Sequence, residues 1–324
     1  MTQAMTNDAS SRLALTVGPV LYHWPRATLM QFYADLADSP ADTVVLGEAV
    51  CARRRELRLD DWLAIGRELA AAGKDVVLVA QTLIESEADL RLIERQGEQH
   101  EFAVEAGDAS ALQLLAGRVP LVLGPHLNIY SRAALVEHAD LGARRWVAPV
   151  ELALDAIGLV NPPHDPVRTP QGEAIATEAW VFGRMPLAFS ARCFTARHHH
   201  LAKDDCAYRC LSDPDGLALA STEGQPFLVL NGTQTQSATV QNLIAEGAAL
   251  RAAGVSRLRL SPCAQGFGQV LADFEAVMNA GLGDEGRAAM TAESRAAAWA
   301  AQGVPGPFSN GYARRLPGMV WSNA

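Results

Sequence analysis

The sequence predicts an α/β fold: a (β/α)8-type barrel with an inserted cysteine-bearing loop and a C-terminal extension. Short apolar runs alternate with amphipathic segments, and six such strand–helix steps fall within the first 148 residues. The spacing is roughly one step every 25 residues, and a complete barrel needs about 250 residues, fewer than the 324 present. No G-x-G-x-x-G or G-x-x-x-x-G-K-S/T loop follows any strand. The sequence thus lacks the nucleotide-binding motifs that usually accompany an open doubly wound sheet, and the closed barrel is preferred.

The six predicted strands are continuous apolar runs, which are typical of a parallel sheet covered by helices on both faces. They cover residues 13–18, 44–47, 76–79, 102–104, 121–123 and 146–148. The segments between them repeat apolar residues at helical spacing. The predicted helices cover residues 28–36, 60–72, 86–96, 109–116 and 132–139. Asp60 is expected to cap the second of these helices, and Gly73 is expected to end it.

The regular alternation stops at a proline-rich segment, 161–170. Two short strand segments, 180–182 and 187–189, lead into a charged stretch, 194–225, which is predicted to be an inserted loop. Later elements are predicted at 227–230 (strand), 239–253 (helix), 258–260 (strand), 270–280 (helix) and 287–301 (helix). The expected domains are a flexible N-terminus at 1–12, a barrel domain carrying the metal site at 13–282, and a C-terminal helix and tail at 283–324.

Composition excludes several classes of protein. The net charge is −9 and no basic tract stands out, so generic binding to nucleic acid is not expected. Residues 1–12 contain no apolar run, which excludes an ordinary secretory signal, and no stretch reaches the roughly 18–20 apolar residues of a membrane span. A cytoplasmic protein is therefore expected. Because thiols stay reduced in that compartment, an odd number of cysteines, five, indicates metal binding or catalysis rather than disulfides.

Three of the five cysteines fall in one stretch, where Cys193, Cys206 and Cys210 have the spacing C-x12-C-x3-C. Cys51 follows the second predicted strand, and Cys193 follows the strand segment 187–189. Function in (β/α)8 barrels is built at the carboxyl ends of the strands, so both thiols are expected at one mouth of the barrel. The inserted loop then has only to fold back to bring Cys206 and Cys210 to the same place. A helical turn starting at Cys206 would put Cys210 on the same face.

Four thiolates can hold zinc or an iron–sulfur cluster. Structural zinc sites usually combine two C-x2–4-C pairs, whereas this chain has one close pair and two single cysteines, which favours the wider cluster. Cations near a proposed ligand would lower the thiol pKa and offset the charge of a cluster, and they are Arg53, Arg54, Arg55, Arg192, Arg197, Lys203 and Arg209. Zinc and unrelated buried thiols stay open as alternatives. Cys263 is expected to be a small buried side chain.

Other polar residues also follow predicted strands. On this ground Glu48, His126 and Glu151 are candidate catalytic residues. The two glutamates could instead pair with nearby arginines, and His126 could be a structural histidine at the barrel rim. The run 53–55 could be a solvated face or could bind an anion. The three histidines 198–200 are expected in a solvated loop, because consecutive side chains do not face one direction.

Five motifs of the chain are similar to those of a known family. They are Leu46-Gly47-Glu48-Ala49-Val50-Cys51 followed by Arg53 and Arg54, Pro149-Val150-Glu151-Leu152, the run 187–197 around Cys193, Asp205-Cys206 with Cys210, and Val229-Leu230-Asn231-Gly232 with Gln234 and Thr235. Over residues 13–281 the sequence resembles the collagenase-like peptidase family, the U32 group, and within it the proteins of ubiquinone biosynthesis.

The resemblance implies a barrel-type fold and a 4Fe–4S cluster on Cys51, Cys193, Cys206 and Cys210. It implies a heterodimer with the sister protein UbiU, which acts with the lipid-binding accessory protein UbiT in oxygen-independent hydroxylation of a ubiquinone precursor. Prephenate is the implied oxygen donor. Because prephenate carries two carboxylates, the candidate substrate-binding residues are Arg53, Arg54 and Arg192. The alternatives are a non-catalytic scaffold with a structural cluster and, remotely, a peptidase, although the sequence contains no G-x-S-x-G or H-E-x-x-H motif.

Overall fold

The computed structural model describes residues 12–279 and 292–323. Its strands are β1 (Ala14–Val17), β2 (Thr43–Leu46), β3 (Asp75–Val79), β4 (Ala103–Ala106), β5 (Leu121–Leu123), β6 (Ala143–Val147), β7 (Ala176–Phe189), β8 (Leu217–Ala220), β9 (Pro226–Asn231), β10 (Gln234–Asn242), β11 (Val255–Leu260) and β12 (Phe308–Ser309). Its α-helices are α1 (Arg26–Ala37), α2 (Leu59–Ala71), α3 (Glu87–Glu98), α4 (Ala109–Leu115), α5 (Arg132–Ala139), α6 (Leu154–Val160), α7 (Phe194–His198), α8 (Gly247–Ala252), α9 (Phe267–Met278) and α10 (Ala292–Ala301). Residues 1–11 of the predicted flexible N-terminus and residues 287–291 of the predicted C-terminal helix lie outside the described ranges.

Eight parallel strands form a closed barrel, as the sequence predicts. Strands β1 to β7 pair in chain order, and β11 closes the ring by pairing with both β7 and β1. One of the helices α1 to α6 follows each of the first six strands. The apolar runs behind the prediction are buried on both faces, as in β2, where all four residues are buried. None of the described helices is long and apolar enough to cross a bilayer.

Helix ends in the first half of the chain follow ordinary capping chemistry. Ser86 and Ser131 cap α3 and α5, where each hydroxyl accepts a hydrogen bond from the amide three residues on. The prediction that Asp60 caps α2 is wrong, because the helix begins one residue earlier. The Asp61 carboxylate accepts a hydrogen bond from the Arg58 amide at 2.8 Å, and Asp60 lies inside the first turn.

Several predictions for the second half of the chain are wrong. The helix predicted at 239–253 is only partly helical, since its first four residues belong to β10 and only α8 is helical. Val240, Leu243 and Ile244 have the spacing of a helix face, but pairing of β10 with β7 and β9 overrides that local pattern. The stretch 194–225, predicted as a loop, contains α7, two short 3-10 helices and β8. Helix α6 was not predicted.

Strand β7 combines the two predicted segments 180–182 and 187–189 and changes its pairing partners along its length. Its first half pairs with β6 and β11 in the barrel, and its second half pairs antiparallel with β10. The change of partner occurs at Gly183, which has φ +117°. A Cβ at this position would lie 2.5 Å from Cβ of Ser261, so only glycine fits. Strands β10, β9 and β8 thus extend the sheet beyond the carboxyl end of the barrel.

The barrel interior contains a buried network of charged residues that the sequence analysis did not identify. Arg259 on β11 donates to both oxygens of Glu105 on β4, and its Nε donates to Glu178 on β7 at 2.5 Å. Arg145 on β6 also donates to Glu178, at 3.4 Å, and to Asp75 on β3, at 2.9 Å. Burial would raise the pKa of Glu178, but Arg259 and Arg145 hold it below its ordinary value. The network therefore joins five barrel strands through paired charges.

Replacing Arg259 by Met tests this network. The substitution leaves Glu105 and Glu178 buried without their main counter-charge, and breaking a buried pair in this way costs about 3–5 kcal/mol. We expect the urea midpoint of unfolding to fall accordingly. The matched control is Arg144→Met on β6, whose side chain is 63% exposed and whose loss should change stability by less than about 0.5 kcal/mol. Equal midpoints for the two variants would contradict the assigned role of Arg259.

Candidate metal centre at the barrel mouth

The four cysteines proposed as metal ligands line one pocket at the carboxyl end of the barrel. Its volume is about 310 Å³, and it is lined by Cys51, Arg53, Arg54, Cys193, Thr195, Ala196, Cys206, Tyr208, Arg209, Cys210 and Gly232. Cys193 is buried, the other three are half-buried, and none forms a disulfide. The structure therefore brings together thiols from the loop after β2 and from the insertion after β7.

Cys51 is positioned by the loop that follows β2. The Glu48 carboxylate accepts hydrogen bonds from the amides of Val50 and Cys51, at 2.9 and 3.0 Å. Burial raises the pKa of Glu48, while Arg54 and the two amides act in the opposite direction. Glu48 thus shapes the loop that carries the thiol.

Cys193 is the N-cap residue of α7. Its Sγ accepts a hydrogen bond from the Ala196 amide at 3.4 Å, as the side chain of an N-cap residue does. The turn between β9 and β10 supports this helix: the Gly232 carbonyl accepts from the Phe194 amide at 2.7 Å, and the Gly232 amide donates to Oγ1 of Thr195 at 3.0 Å. The β-sheet extension therefore positions the second thiol.

Cys206 and Cys210 do not lie on one helical turn, so that element of the prediction is wrong. Cys206 follows the 3-10 helix Lys203–Asp205, and Cys210 belongs to the 3-10 helix Arg209–Ser212. Ala207 and Tyr208 between them have φ of +47° and +50°, a left-handed conformation that reverses the chain. Both thiols nevertheless face the same pocket.

Asn231 and Gly232, in the turn between β9 and β10, also hold Arg54 against the thiols. Arg54 donates to Oδ1 of Asn231 at 2.8 Å and to the carbonyl of Leu21 at 2.7 Å. Gly232 has φ +64°, and a Cβ there would lie 2.8 Å from Nη2 of Arg54. The next residue, Thr233, donates to the carbonyl of Val50 at 2.6 Å. One turn thus fixes the Cys51 loop, the Cys193 helix and the buried guanidinium.

Burial raises the pKa of Cys51 and of Cys210 above the ordinary thiol value. The Arg53 amide and the Arg54 guanidinium oppose this for Cys51, and Arg54 opposes it for Cys210. Cys193 lies close enough to raise the pKa of both thiols by repulsion between thiolates, and Cys206 acts likewise on Cys210. Cys51 and Cys210 thus each respond to the charge of a neighbouring thiol in the pocket, and a bound metal would replace the protons of its thiol ligands.

The chemistry of the donor set, rather than the present spacing of the thiols, fits the metal groups that the sequence suggested. Four thiols beside a buried cation suit either an iron–sulfur cluster or zinc. Within residues 12–279 and 292–323, no three His, Cys, Asp or Glu side chains are gathered closely enough to hold a single metal ion.

His23 is a residue of this site that the sequence analysis missed. Its Nδ1 lies 3.4 Å from Sγ of Cys210, its Nε2 lies 3.4 Å from Glu56, and its ring meets Tyr208 edge-on. Burial, followed by the charge of Arg54, lowers the pKa of His23, which favours the neutral imidazole. The feature of the sequence that could have identified His23 is its position six residues beyond the end of β1, at the same mouth of the barrel as Cys51.

The three candidate catalytic residues do not share one pocket. Glu48 lies beside Arg54, with 3.7 Å between the charged atoms. Glu151 is exposed and accepts from the hydroxyl of Tyr130 at 3.3 Å. His126 lines a separate pocket of about 850 Å³ and meets the ring of Phe189 edge-on.

The candidate substrate-binding arginines differ in their contacts. Arg54 is buried, and each of its two Nη atoms donates a hydrogen bond, one to Leu21 and one to Asn231. Arg53 binds the carboxylate and the carbonyl of Asp204, at 3.0 and 2.8 Å. Arg192 is exposed, and its guanidinium has no hydrogen-bond partner among the described residues.

The remaining residues noted in the sequence lie away from the thiol pocket. The histidines 198–200 are exposed at the end of α7. Cys263 is buried, as expected, and its thiol donates to the carbonyl of Gln265 at 3.2 Å.

Comparison with known proteins gives one family. The model of peptidase family U32 matches residues 29–318. Among solved structures, the chain is similar to the U32 peptidase Mk0906, with 10% identity over 78% of this chain and 94% of that one and a TM-score of 0.43. It is also similar to the spore cortex-lytic enzyme SleL of Bacillus megaterium (11% identity, 82% and 74% covered, TM-score 0.40) and to a phospho-2-dehydro-3-deoxyheptonate aldolase of Thermotoga maritima (12% identity, 76% and 60% covered, TM-score 0.37).

The environment of His126 gives a prediction for pH dependence. Burial, and then the positive charge of Arg259, lower its pKa to about 4, against about 6.5 in an unfolded chain. The unfolded state therefore binds this proton first, and stability contributed by the neutral imidazole is lost as pH falls from about 6.5 to 4. By NMR, the imidazole signal that disappears in His126→Gln should not titrate between pH 8 and 5.5 in the folded protein. Titration near pH 6.5 in the folded state would contradict the lowered pKa of the half-buried His126.

Proposed function

The chain belongs to peptidase family U32, and from that premise we propose that it is a counterpart of the ubiquinone biosynthesis protein UbiV. In this proposal it is an iron–sulfur subunit that acts with UbiU and UbiT in oxygen-independent hydroxylation of a ubiquinone precursor, with prephenate as oxygen donor. The observation that carries the proposal is the single pocket lined by four thiols. The reduced thiols are in keeping with a cytoplasmic protein.

Cys51, Cys193, Cys206 and Cys210 would hold a 4Fe–4S cluster. Such a group, when bound, supplies one-electron chemistry whose potential depends on hydrogen bonds to its sulfurs and on nearby charge. The chain offers both kinds of control. The Ala196 amide donates to Sγ of Cys193, and the buried Arg54 places a fixed positive charge beside Cys210.

The partner and substrate parts of the proposal rest on the motifs shared with the ubiquinone-biosynthesis members of the family. The peptidase activity in the family name has less support. The sequence contains neither a G-x-S-x-G nor an H-E-x-x-H motif.

The second candidate function is a non-catalytic subunit with a structural cluster, whose task is to hold UbiU. It is favoured by one observation, the placement of Glu48, His126 and Glu151 in separate surroundings. Anaerobic co-purification with UbiU, followed by a hydroxylation assay with the cluster of each subunit removed in turn, separates the two functions. Activity that survives loss of only this chain's cluster would favour the scaffold.

Cysteine substitutions test the ligand assignment. Replacing any one of Cys51, Cys193, Cys206 or Cys210 by Ala removes a thiolate, and we expect iron content to fall below about half of the wild-type value. The measurement is iron analysis and visible absorption of anaerobically purified protein. Cys263→Ala is the matched control, because that thiol is buried away from the pocket and should leave iron content unchanged. Full iron occupancy in Cys51→Ala would contradict the assignment.

Conservative substitution of the arginines tests whether they bind the carboxylates of the oxygen donor. Lys keeps the positive charge but lacks the planar fork that binds a carboxylate bidentately. Arg192 is free to bind, so Arg192→Lys should lose hydroxylation at least about tenfold with normal iron content. Arg54→Lys should also lower iron content, because its contacts with Leu21 and Asn231 would be lost. Near-normal hydroxylation in the Arg53, Arg54 and Arg192 variants would end the binding hypothesis for this subunit.

A further inference from the structure

A second, larger pocket lies beside the thiol pocket. Its volume is about 1470 Å³, and it opens between α2 and α3 at the carboxyl ends of β2 and β3. Gly47 and Glu48 border it on the β2 side, and Gln81 borders it on the β3 side. Arg54 lines both pockets, so the larger one is adjacent to the thiols but separate from them.

The pocket has one apolar side and a strongly basic rim. Leu59 and Trp62 of α2 and Leu92 and Ile93 of α3 supply the apolar side. Five arginines and two acidic residues line the pocket, although the whole chain has a net charge of −9. The arginines are Arg54, Arg55, Arg58, Arg91 and Arg95. This combination suits an organic anion with an apolar body.

Two of the rim arginines are available to a ligand. Arg91 pairs with Glu87 at 3.8 Å, and Arg95 pairs with Asp60 at 3.6 Å. Their side chains are 66% and 56% exposed, and exposed pairs of this kind are weak. Either guanidinium can exchange its exposed partner for an anion in the pocket.

The polar end of the pocket contains a side-chain carbonyl oxygen without a partner. Gln81 follows β3 and is only 6% exposed, and its buried Oε1 accepts no hydrogen bond from any described residue. Its neighbour Gln96 donates to the carbonyl of Val79 at 3.0 Å, but its Oε1 is also buried without a partner. A buried polar atom without a partner is unfavourable. A bound ligand with a hydroxyl group would donate a hydrogen bond to Oε1 of Gln81 and satisfy it.

We infer that this pocket binds an amphipathic organic anion, a carboxylate on an apolar ring that also carries a hydroxyl group. The ring would lie against Trp62 and Leu92, the carboxylate would bind Arg91 and Arg95, and the second polar group would reach Gln81. The inference goes beyond the proposed function, because it needs no cluster and no partner subunit. It also places the ligand next to Arg54, which contacts the thiol pocket.

The test uses the full chain and a fluorescent probe, 8-anilinonaphthalene-1-sulfonate, which combines apolar rings with an anion. We expect saturable binding that 4-hydroxybenzoate displaces and that neutral 4-hydroxybenzamide does not. The double variant Arg91→Gln/Arg95→Gln should bind the probe and 4-hydroxybenzoate with at least about tenfold lower affinity. The matched control is Arg144→Gln, an exposed arginine on β6, which should bind like the wild type. Equal affinities for the two variants, displacement by the amide, or no saturable binding would overturn the inference.

Gln81→Leu provides a second arm that does not depend on the arginines. The substitution keeps a side chain of similar size and removes the unpaired buried Oε1, so the variant should unfold at a higher urea concentration than the wild type. It should also lose at least about fivefold in affinity for 4-hydroxybenzoate. A variant that binds 4-hydroxybenzoate as the wild type does would show that Gln81 serves no ligand. These measurements can be made with the Cys51→Ala protein, so their outcome is independent of the cluster.

Discussion

Backbone pairing along β7 is the constraint on which the rest of the structure depends. The first half of β7 completes the barrel between β6 and β11, and the second half leaves the barrel to pair with β10. Gly183 permits the change of partner. Because β7 ends beyond the barrel rim, Cys193 and the insertion start above the mouth, next to the loop after β2. The β9–β10 turn returns to the same place and binds both segments.

The filled barrel interior explains why the candidate sites lie at the rim. Charged residues of β4, β6, β7 and β11 pair with one another inside the barrel. Two residues further toward the carboxyl ends, Val77, Val147 and Trp180 belong to a buried apolar cluster. The charged residues lie deeper in the barrel and form ion pairs with one another. The apolar layer separates them from the mouth of the barrel. The thiol pocket and the larger pocket beside it are consequently built from loops, helices and the insertion.

The sequence predicted the parts of the structure that local patterns determine. Strands β1 to β6 each contain a short apolar run, and the position of Cys51 and Cys193 after predicted strands placed both at one mouth of the barrel. The β-sheet extension was missed because Val240 and Leu243 fit a helix as well as a strand, and only pairing with β7 decides between them. His23 and Gln81 have no motif around them. Their significance depends on Cys210, which is 187 residues away from His23, and on a pocket formed by separate helices.

The central claim of this account is that the four thiols hold one iron–sulfur cluster. The most direct measurement is the iron, acid-labile sulfide and zinc content of the chain after anaerobic purification, determined on the same sample. The account predicts about four iron and four sulfide per chain and little zinc. About one zinc per chain with no sulfide would instead show a structural zinc site, and the proposed electron-transfer role would be contradicted.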